Sequence, residues 1–307
     1  MTTPTVRHSK SIGALATLLA FVSALWIAPA RGDEAPAIDG SAAALASRFN
    51  ALKSDLANSP FKRPIVLSSR EGSDVLAGDV YAIVDHPFAA ASAALTTPSQ
   101  WCDVLILHLN TKYCKPSGEG AAAQLQVSIG KKFDQPVDKA YRVDFVHQVV
   151  ARTDHYLQVK LHAGEGPLGT RNYRIVLEAS PASPTQTYLR LSYSYGYGTM
   201  AQIAMKAYLA TIGRDKVGFT IVGRDSGGQP QPVTGMRGVV ERNTMRYYLA
   251  IEAYLGARSL PPAQRAEKSF RDWFAATESF PRQLHEMEQQ DYMVMKRKEY
   301  QRQQGQG

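Results

Sequence analysis

Alternation of apolar and polar residues runs through most of the stretch between residues 105 and 197, and it constrains the fold more than any other feature of the sequence. Successive side chains of a β-strand point to opposite faces of a sheet, so this pattern predicts strands with one buried and one exposed face. The segments that interrupt the pattern are short and turn-forming, as in hairpins. The sequence therefore predicts an antiparallel meander. The predicted strands cover residues 105–114, 124–131, 141–152, 156–162, 172–179, 187–197 and 216–222.

The apolar face of such a sheet needs a cover, and helices are predicted both before and after the meander in the sequence. Apolar residues spaced three and four apart predict helices at 200–212 and 236–255, with Gly256 as the stop of the second. Another amphipathic helix is predicted at 42–56. After residue 281 the apolar residues form no clean stripe, so we expect an exposed and partly frayed last helix.

The order of the predicted elements resembles a known superfamily. A strand at 79–85, two short helices at 88–95 and 98–105, the long meander and a long helix ending at Leu255 follow one another. This order resembles the START-like, helix-grip superfamily of lipid-transfer domains and polyketide cyclases over residues 75–256. The resemblance implies an α+β fold, in which a curved antiparallel sheet grips a long C-terminal helix, with added N-terminal and C-terminal helices. It also implies a cavity between sheet and helix for an apolar ligand, while the helix at 200–212 departs from the simplest pattern.

The first thirty residues have the features of a secretory signal. Arg7 and Lys10 precede an uncharged, mostly apolar run over 12–28, and Ala28-Pro29-Ala30 supplies small residues for cleavage. We predict export to the periplasm, or secretion, as a soluble protein cleaved after Ala30; a second small-residue site at 35–37 and an uncleaved anchor are the alternatives. The predicted domains are a signal peptide (1–30), a leader with the N-terminal helix (31–74), the helix-grip domain (75–256) and a helical extension (257–307).

Cys102 and Cys114 are the only two cysteines of the chain. In an oxidising compartment an even pair of this kind favours a disulfide, with two free buried thiols as the alternative.

A candidate ligand site follows from the predicted inner face of the sheet. Tyr193 and Tyr195 project from one strand on the same side, and His147 lies in register with Phe145. These side chains either line a cavity, where phenols and an imidazole orient a ligand, or fill an ordinary core. The candidate ligand-binding residues are Phe145, His147, Tyr173, Tyr193, Tyr195 and Tyr247.

Arginines of the long predicted helix extend this candidate site. Arg242 or Arg246 would hold an anionic headgroup at the cavity mouth, and a solvated helix face is the alternative. The basic run at 296–298 suggests a membrane surface or a protein partner for the last helix. Removal of Arg7 and Lys10 with the signal would lower the formal charge from +8 by two, to +6, which is also common for a solvated surface.

Three functional hypotheses remain open at this point. The sequence has no nucleophile elbow, P-loop, dinucleotide fingerprint or zinc-protease helix, so it favours a non-enzymatic protein and predicts no cofactor, metal or nucleic acid. The first hypothesis is a carrier of an apolar, lipid-like ligand. The second is a cyclase or hydratase that uses His147 and a tyrosine as acid and base. The third is an accessory protein that binds a partner through its helical ends.

Overall fold

An antiparallel sheet of eight strands forms the centre of the computed structural model, which describes residues 41–211 and 213–305. The order across the sheet is β1-β2-β8-β7-β6-β5-β4-β3, so the meander runs from β3 to β8 and the first two strands add to its end. The strands are β1 (Ile65–Glu71), β2 (Val75–Val84), β3 (Thr111–Ser117), β4 (Gln124–Ile129), β5 (Tyr141–Arg152), β6 (Leu157–Glu165), β7 (Arg171–Ser183) and β8 (Gln186–Gly196).

Helices surround this sheet, and a small hairpin lies outside it. The helices are α1 (Ala42–Ala57), α2 (Phe88–Ala94), α3 (Pro98–Leu105), α4 (Thr199–Ala210), α5 (Gly235–Ala257), α6 (Pro262–Glu278), α7 (Pro281–Leu284) and α8 (Gln289–Gln303). The hairpin consists of β9 (Ile221–Arg224) and β10 (Pro230–Pro232). No helix in the described part of the chain is long and apolar enough to cross a membrane. The predicted signal at 1–30 lies outside the described residues.

The alternation in the sequence corresponds to an inner and an outer face of the sheet, as predicted. On β6, Leu157, Val159 and Leu161 are buried on the inner face, and Val159 pairs with Leu177 of β7 in the antiparallel register. The prediction fails at the ends of β5. There Tyr141 and Val149 are exposed: the register between β5 and β6 shifts next to Val149, and Tyr141 pairs with β4 alone.

Helix α5 packs across β1, β2 and β8 on the inner side of the sheet, which confirms the predicted helix-grip arrangement. Gly78 of β2 permits this close approach, because a Cβ atom there would lie 2.3 Å from the Oγ1 atom of Thr244. The helix continues through Gly256, so the predicted stop is wrong. Helix α6 packs along α5, and tertiary packing of this kind outweighs the low helix propensity of one glycine.

Helix α1 covers part of the outer face of the sheet. Its apolar side chains form a cluster with tyrosines of β2, β8 and the turn before β6, separate from the main core. The cluster contains Leu45, Phe49, Leu52, Leu56, Tyr81, Tyr156 and Tyr188. The predicted amphipathic helix over 42–56 is confirmed, and it gives the sheet a cover on both sides.

Two predicted strands are wrong at their boundaries. The segment predicted as a strand at 105–114 begins with the last residue of α3 and turns before β3 starts at Thr111. A capping box of Thr97 and Gln100 starts α3, and the apolar residues that follow the helix are buried in turns. In place of the strand predicted at 216–222 the structure has β9, which pairs with β10 outside the main sheet. Apolar residues in buried turns mimic a strand, because periodicity records burial only.

Cys102 of α3 and Cys114 of β3 form the predicted disulfide, with their Cα atoms 5.3 Å apart. Both cysteines are buried, so the bond ties the short helix to the sheet inside the core.

The last helix is buried on one side, and the expected frayed helix is wrong. Tyr292, Met293 and Met295 of α8 belong to the main core. The ammonium groups of Lys112 and Lys296 both bind the carboxylate of Glu299, at 3.1 and 2.7 Å, and all three side chains are fully buried. Lys296 also donates to the backbone oxygens of His108 and Thr111. The exposed Arg297 and Lys298 pair with Glu267 and Asp134, so the basic run is engaged within the chain.

Candidate ligand site

Five aromatic side chains form a continuous cluster between the sheet and α5. Phe145 of β5 lies 6.4 Å from Tyr173 of β7, and Tyr173 stacks on Tyr195 of β8 at 5.3 Å, measured between ring centroids. Tyr193 lies 5.5 Å from Tyr195 and 5.2 Å from Tyr247 of α5. The structure thus brings five of the predicted ligand-binding residues together.

The local sequence explains why these rings meet. Tyr193 and Tyr195 are two residues apart on β8, and side chains with this spacing share one face of a strand. Ile175 pairs with Tyr193, and the register between β7 and β8 shifts near Asn172, whose φ is +53°. This irregularity lies next to Tyr173, at the end of β7 where the tyrosines lie.

The hydroxyl groups of the tyrosines fall into two sets. The hydroxyl of Tyr173 donates to the Oγ1 atom of Thr170 at 2.8 Å, and that of Tyr197 donates to the backbone oxygen of Gly72 at 3.1 Å. By contrast, the hydroxyls of Tyr193, Tyr195 and Tyr247 have no hydrogen-bond partner in the described part of the chain. None of the three oxygens is among the fully buried polar atoms without a partner in the described residues, so each keeps accessible surface and is open to a ligand or to water.

Burial also sets the ionisation state of these phenols. It raises the pKa of Tyr193, of Tyr195 and of Tyr247, and neighbouring tyrosines raise each pKa further. All three groups are therefore protonated at neutral pH, and each can donate one hydrogen bond and accept others.

Solvent access to the inner face of the sheet differs between its middle and the end that carries the tyrosines. Val159, Leu177 and Leu191 have no exposed surface, whereas Tyr173, Tyr195 and Tyr193 keep 8%, 6% and 5%. Tyr247 is only half-buried, although its ring packs on the inner face of the sheet against Tyr193. The middle of the inner face is therefore closed to solvent, whereas the end with the tyrosines keeps a small accessible surface.

His108 adds an imidazole to this cluster that the sequence analysis did not single out. Its ring stacks on Tyr247, with ring centroids 4.7 Å apart, and its Nδ1 atom accepts a hydrogen bond from the backbone N–H of Asn110. The Nε2 atom is buried without a partner among the described residues. Burial and the nearby charge of Arg246 hold the pKa of His108 well below its usual value, so the ring is neutral. His108 follows a helix and precedes a strand, and no periodic pattern marks such a position.

His147 lies on the inner face of β5 and is buried, as the alternation predicts. Its Nε2 atom has no described partner, and burial lowers its pKa below the usual value. It is not joined to the aromatic cluster by a ring contact in the residues that the structure describes. Instead, it lines a separate groove of about 1010 Å³ at the end of the sheet.

Arg242 and Arg246 are both buried, so the solvated helix face considered for them is wrong. Arg242 donates to the backbone oxygen of Val217 at 3.2 Å. Arg246 binds the carboxylate of Glu286 at 2.6 Å and the backbone oxygen of Leu284 at 3.3 Å. Burial alone would raise the pKa of Glu286, but Arg246 and Lys132 outweigh it and hold the pKa below its usual value. Both arginines thus fasten neighbouring segments to α5.

The described residues contain no group of three histidine, cysteine, aspartate or glutamate side chains that could hold a metal ion. The site therefore consists of aromatic rings, phenol hydroxyls and neutral imidazole.

Comparisons with known proteins give likenesses in structure alone. No family model matches the sequence, and no curated protein matches it. Norcoclaurine synthase from Thalictrum flavum is 13% identical, with 49% of this chain and 77% of that chain covered and a TM-score of 0.30. A START superfamily protein from Mycobacterium smegmatis is 10% identical, with coverage of 49% and 92% and a TM-score of 0.30. Human StAR-related lipid transfer protein 5 is 12% identical, with coverage of 55% and 91% and a TM-score of 0.30.

Identities and TM-scores this low establish no family for this chain. The helix-grip fold of this chain follows from its own elements: the antiparallel sheet, the two short helices between β2 and β3, and the long helix α5 across the inner face.

Proposed function

We propose that this protein binds and carries an apolar ligand between the sheet and α5, with a polar group of the ligand facing Tyr193, Tyr195 and Tyr247. The observation that carries the proposal is the set of three protonated hydroxyls without described protein partners, at the end of the inner face that keeps accessible surface. A ligand oxygen at this position would supply the missing hydrogen bonds. Each such bond contributes on the order of 1 kcal/mol.

The chemistry of the wall limits the ligand class. Phe145 and the faces of the tyrosine rings offer flat apolar surface, and the phenols offer only a few oriented polar contacts. A ligand with a largely apolar body and one hydroxyl or carbonyl group fits this arrangement, as apolar pockets with few polar groups generally require. The paired state of Arg246 with Glu286 argues against a strongly anionic headgroup at that arginine.

The positions of His147 and the tyrosines do not fit the pairing that the cyclase or hydratase hypothesis requires. A cyclase or hydratase reaction would need His147 and a tyrosine hydroxyl at the same reacting atom. His147 lies at the groove at the end of the sheet, and it has no described ring contact with the tyrosines. We also propose that the chain is exported and carries its ligand outside the cytoplasm, on the basis of the signal pattern before Ala30.

The test compares two matched substitutions on β8 and the residue that follows it. Tyr195→Phe removes a hydroxyl with no described partner, whereas Tyr197→Phe removes one that already binds the backbone oxygen of Gly72. Titration with a panel of sterols, fatty acids and fatty alcohols, read by native mass spectrometry, should show an adduct with the wild type. We expect Tyr195→Phe to weaken binding by about tenfold, which corresponds to about 1.4 kcal/mol, with little change in stability. Tyr197→Phe should leave binding unchanged and reduce the free energy of unfolding by about 1 kcal/mol.

Equal effects of the two substitutions on binding would contradict the role of the unpaired hydroxyls. Failure of the wild type to take up any member of the panel, together with a bare mass for protein purified gently from its own host, would overturn the carrier proposal.

A further inference from the structure

Strand β5 extends beyond its neighbour β4 at one end of the sheet. The ladder between them ends at the pair of Gln124 and Val146, and one more bond follows from the N–H of His147 to the backbone oxygen of Ala123. Strand β5 continues to Arg152, where it pairs with β6 alone. In the described part of the chain, the other edge of residues 148–152 therefore has no strand beside it.

This free edge forms one wall of the groove of about 1010 Å³. The other walls are the start of α3 and the loop after β3. The lining side chains are mostly small, including Pro98, Pro116 and Ala121. Val149 and Val150 are exposed at the edge, at 37% and 47%. An unpaired strand edge with exposed β-branched residues is a template for another strand.

We propose that this groove binds one extended peptide segment of a partner protein, which adds to β5 as a strand in the place that β4 leaves. The N–H of His147 points toward β4, so the N–H and C=O of Val149, two residues further, point toward the same open side. Hydrogen bonds from these groups give affinity for any extended backbone, and side-chain contacts with the groove give specificity.

The walls of the groove restrict the occupant to a single strand. The unpaired edge covers only residues 148–152 and lies between the start of α3 and the loop of residues 116–121, so its length suits a short extended segment rather than a whole second sheet. Glu119 is the only residue with a charged side chain among those that line the groove, and it is in no described ion pair. The segment that fits is therefore extended, carries a β-branched residue against Val149, and has a lysine or arginine near Glu119.

The experiment uses the full chain and a phage library of random heptapeptides. Enriched peptides are synthesised in two forms, one unmodified and one N-methylated at alternate residues, which keeps the side chains but blocks strand addition. Binding is measured by calorimetry to the wild type, Val149→Pro and Glu119→Lys. Proline removes the donor on the open side of β5, and lysine reverses the charge of the groove.

We expect enrichment of β-branched peptides with a basic residue. Affinity should fall at least tenfold for the N-methylated form and for Val149→Pro, and severalfold for Glu119→Lys. Hydrogen exchange at the amide of Val149 should slow when the peptide binds. Because Val149→Pro could disturb β5, the N-methylated peptide tests the backbone contact on the unaltered protein.

Absence of enriched peptides, or equal affinity for the two peptide forms, would overturn the proposal. A concentration-dependent dimer that Val149→Pro abolishes would also overturn it, because the edge would then serve a second copy of the chain. None of the tyrosines of the aromatic cluster lines this groove, so uptake of an apolar ligand by Val149→Pro tests the carrier proposal separately.

Discussion

At the scale of single residues, buried charges hold the segments around α5 in place. The carboxylate of Glu241 is fully buried and accepts hydrogen bonds from the backbone N–H of Thr220 at 2.9 Å and from its hydroxyl at 2.6 Å. It thereby ties the segment before β9 to α5. Glu299 performs the same role between β3 and α8, where it neutralises one of two buried ammonium groups. A buried ion pair adds little stability compared with apolar side chains of the same volume, but the loss of one partner leaves an unpaired buried charge and is costly.

The pKa of Lys296 predicts how the free energy of unfolding depends on pH. Burial lowers it from 10.5 to about 8, and the attraction of Glu299 only partly opposes the shift. Between these two values the unfolded chain binds more protons than the folded protein, so this lysine makes stability rise with pH. From about pH 7 to about pH 9, the wild type should gain about 1 kcal/mol of unfolding free energy relative to Lys296→Met.

Urea unfolding of both proteins at the two pH values measures this difference. Buried tyrosines, whose pKa values are raised, act in the opposite direction near their unfolded pKa of 10, but they are common to both proteins and cancel. A difference that stays constant with pH would show that Lys296 titrates outside this window.

At the scale of elements, α8 shows how a weak sequence pattern can belong to a core helix. Tyr292 stacks on Trp273 of α6 at 5.0 Å and donates a hydrogen bond to the backbone oxygen of Leu107. Lys296 and Glu299 lie on the buried side and pair with each other, so the polar residues do not mark the exposed face. The apolar stripe is therefore interrupted, and the sequence gives no sign that charges are buried.

Two substitutions on α8 test its place in the core. Tyr292→Ala removes a fully buried ring and should lower the free energy of unfolding by about 3 kcal/mol or more. Val294→Ala changes a side chain that is 54% exposed and should cost less than about 0.5 kcal/mol. Similar small effects of both substitutions in urea unfolding would mean that α8 is detached from the core in solution.

At the scale of the whole molecule, the terminal helices complete the core of the helix-grip fold. Phe270, Trp273, Leu284 and Tyr292 belong to the same apolar cluster as the inner face of the sheet. The boundary predicted at residue 257 therefore separates segments that share a core. The separate folding of residues 75–256 and 257–307 stays a prediction.

Removal of residues 258–307 provides that test. The shortened chain would lose Phe270, Trp273, Leu284 and Tyr292 from the core and expose the apolar side chains that they cover, and burial of each large apolar side chain contributes about 1.5 to 3 kcal/mol. We expect loss of the near-ultraviolet circular dichroism and of a cooperative urea transition. A sharp transition and a native spectrum in the shortened chain would instead establish 257–307 as a separate extension.

Local rules in the sequence were enough to specify several parts of the structure. Alternation over the meander specified the strands and their inner faces, Thr97 and Pro98 specified the start of α3, and the spacing of Tyr193 and Tyr195 placed them side by side. The tertiary structure alone decided which elements meet. It brought His108 onto Tyr247, placed Arg242 and Arg246 in the interior, and left one edge of the end of β5 without a described partner strand. The reason is physical: periodicity records that a residue is buried, whereas the partner that buries it comes from a distant part of the chain.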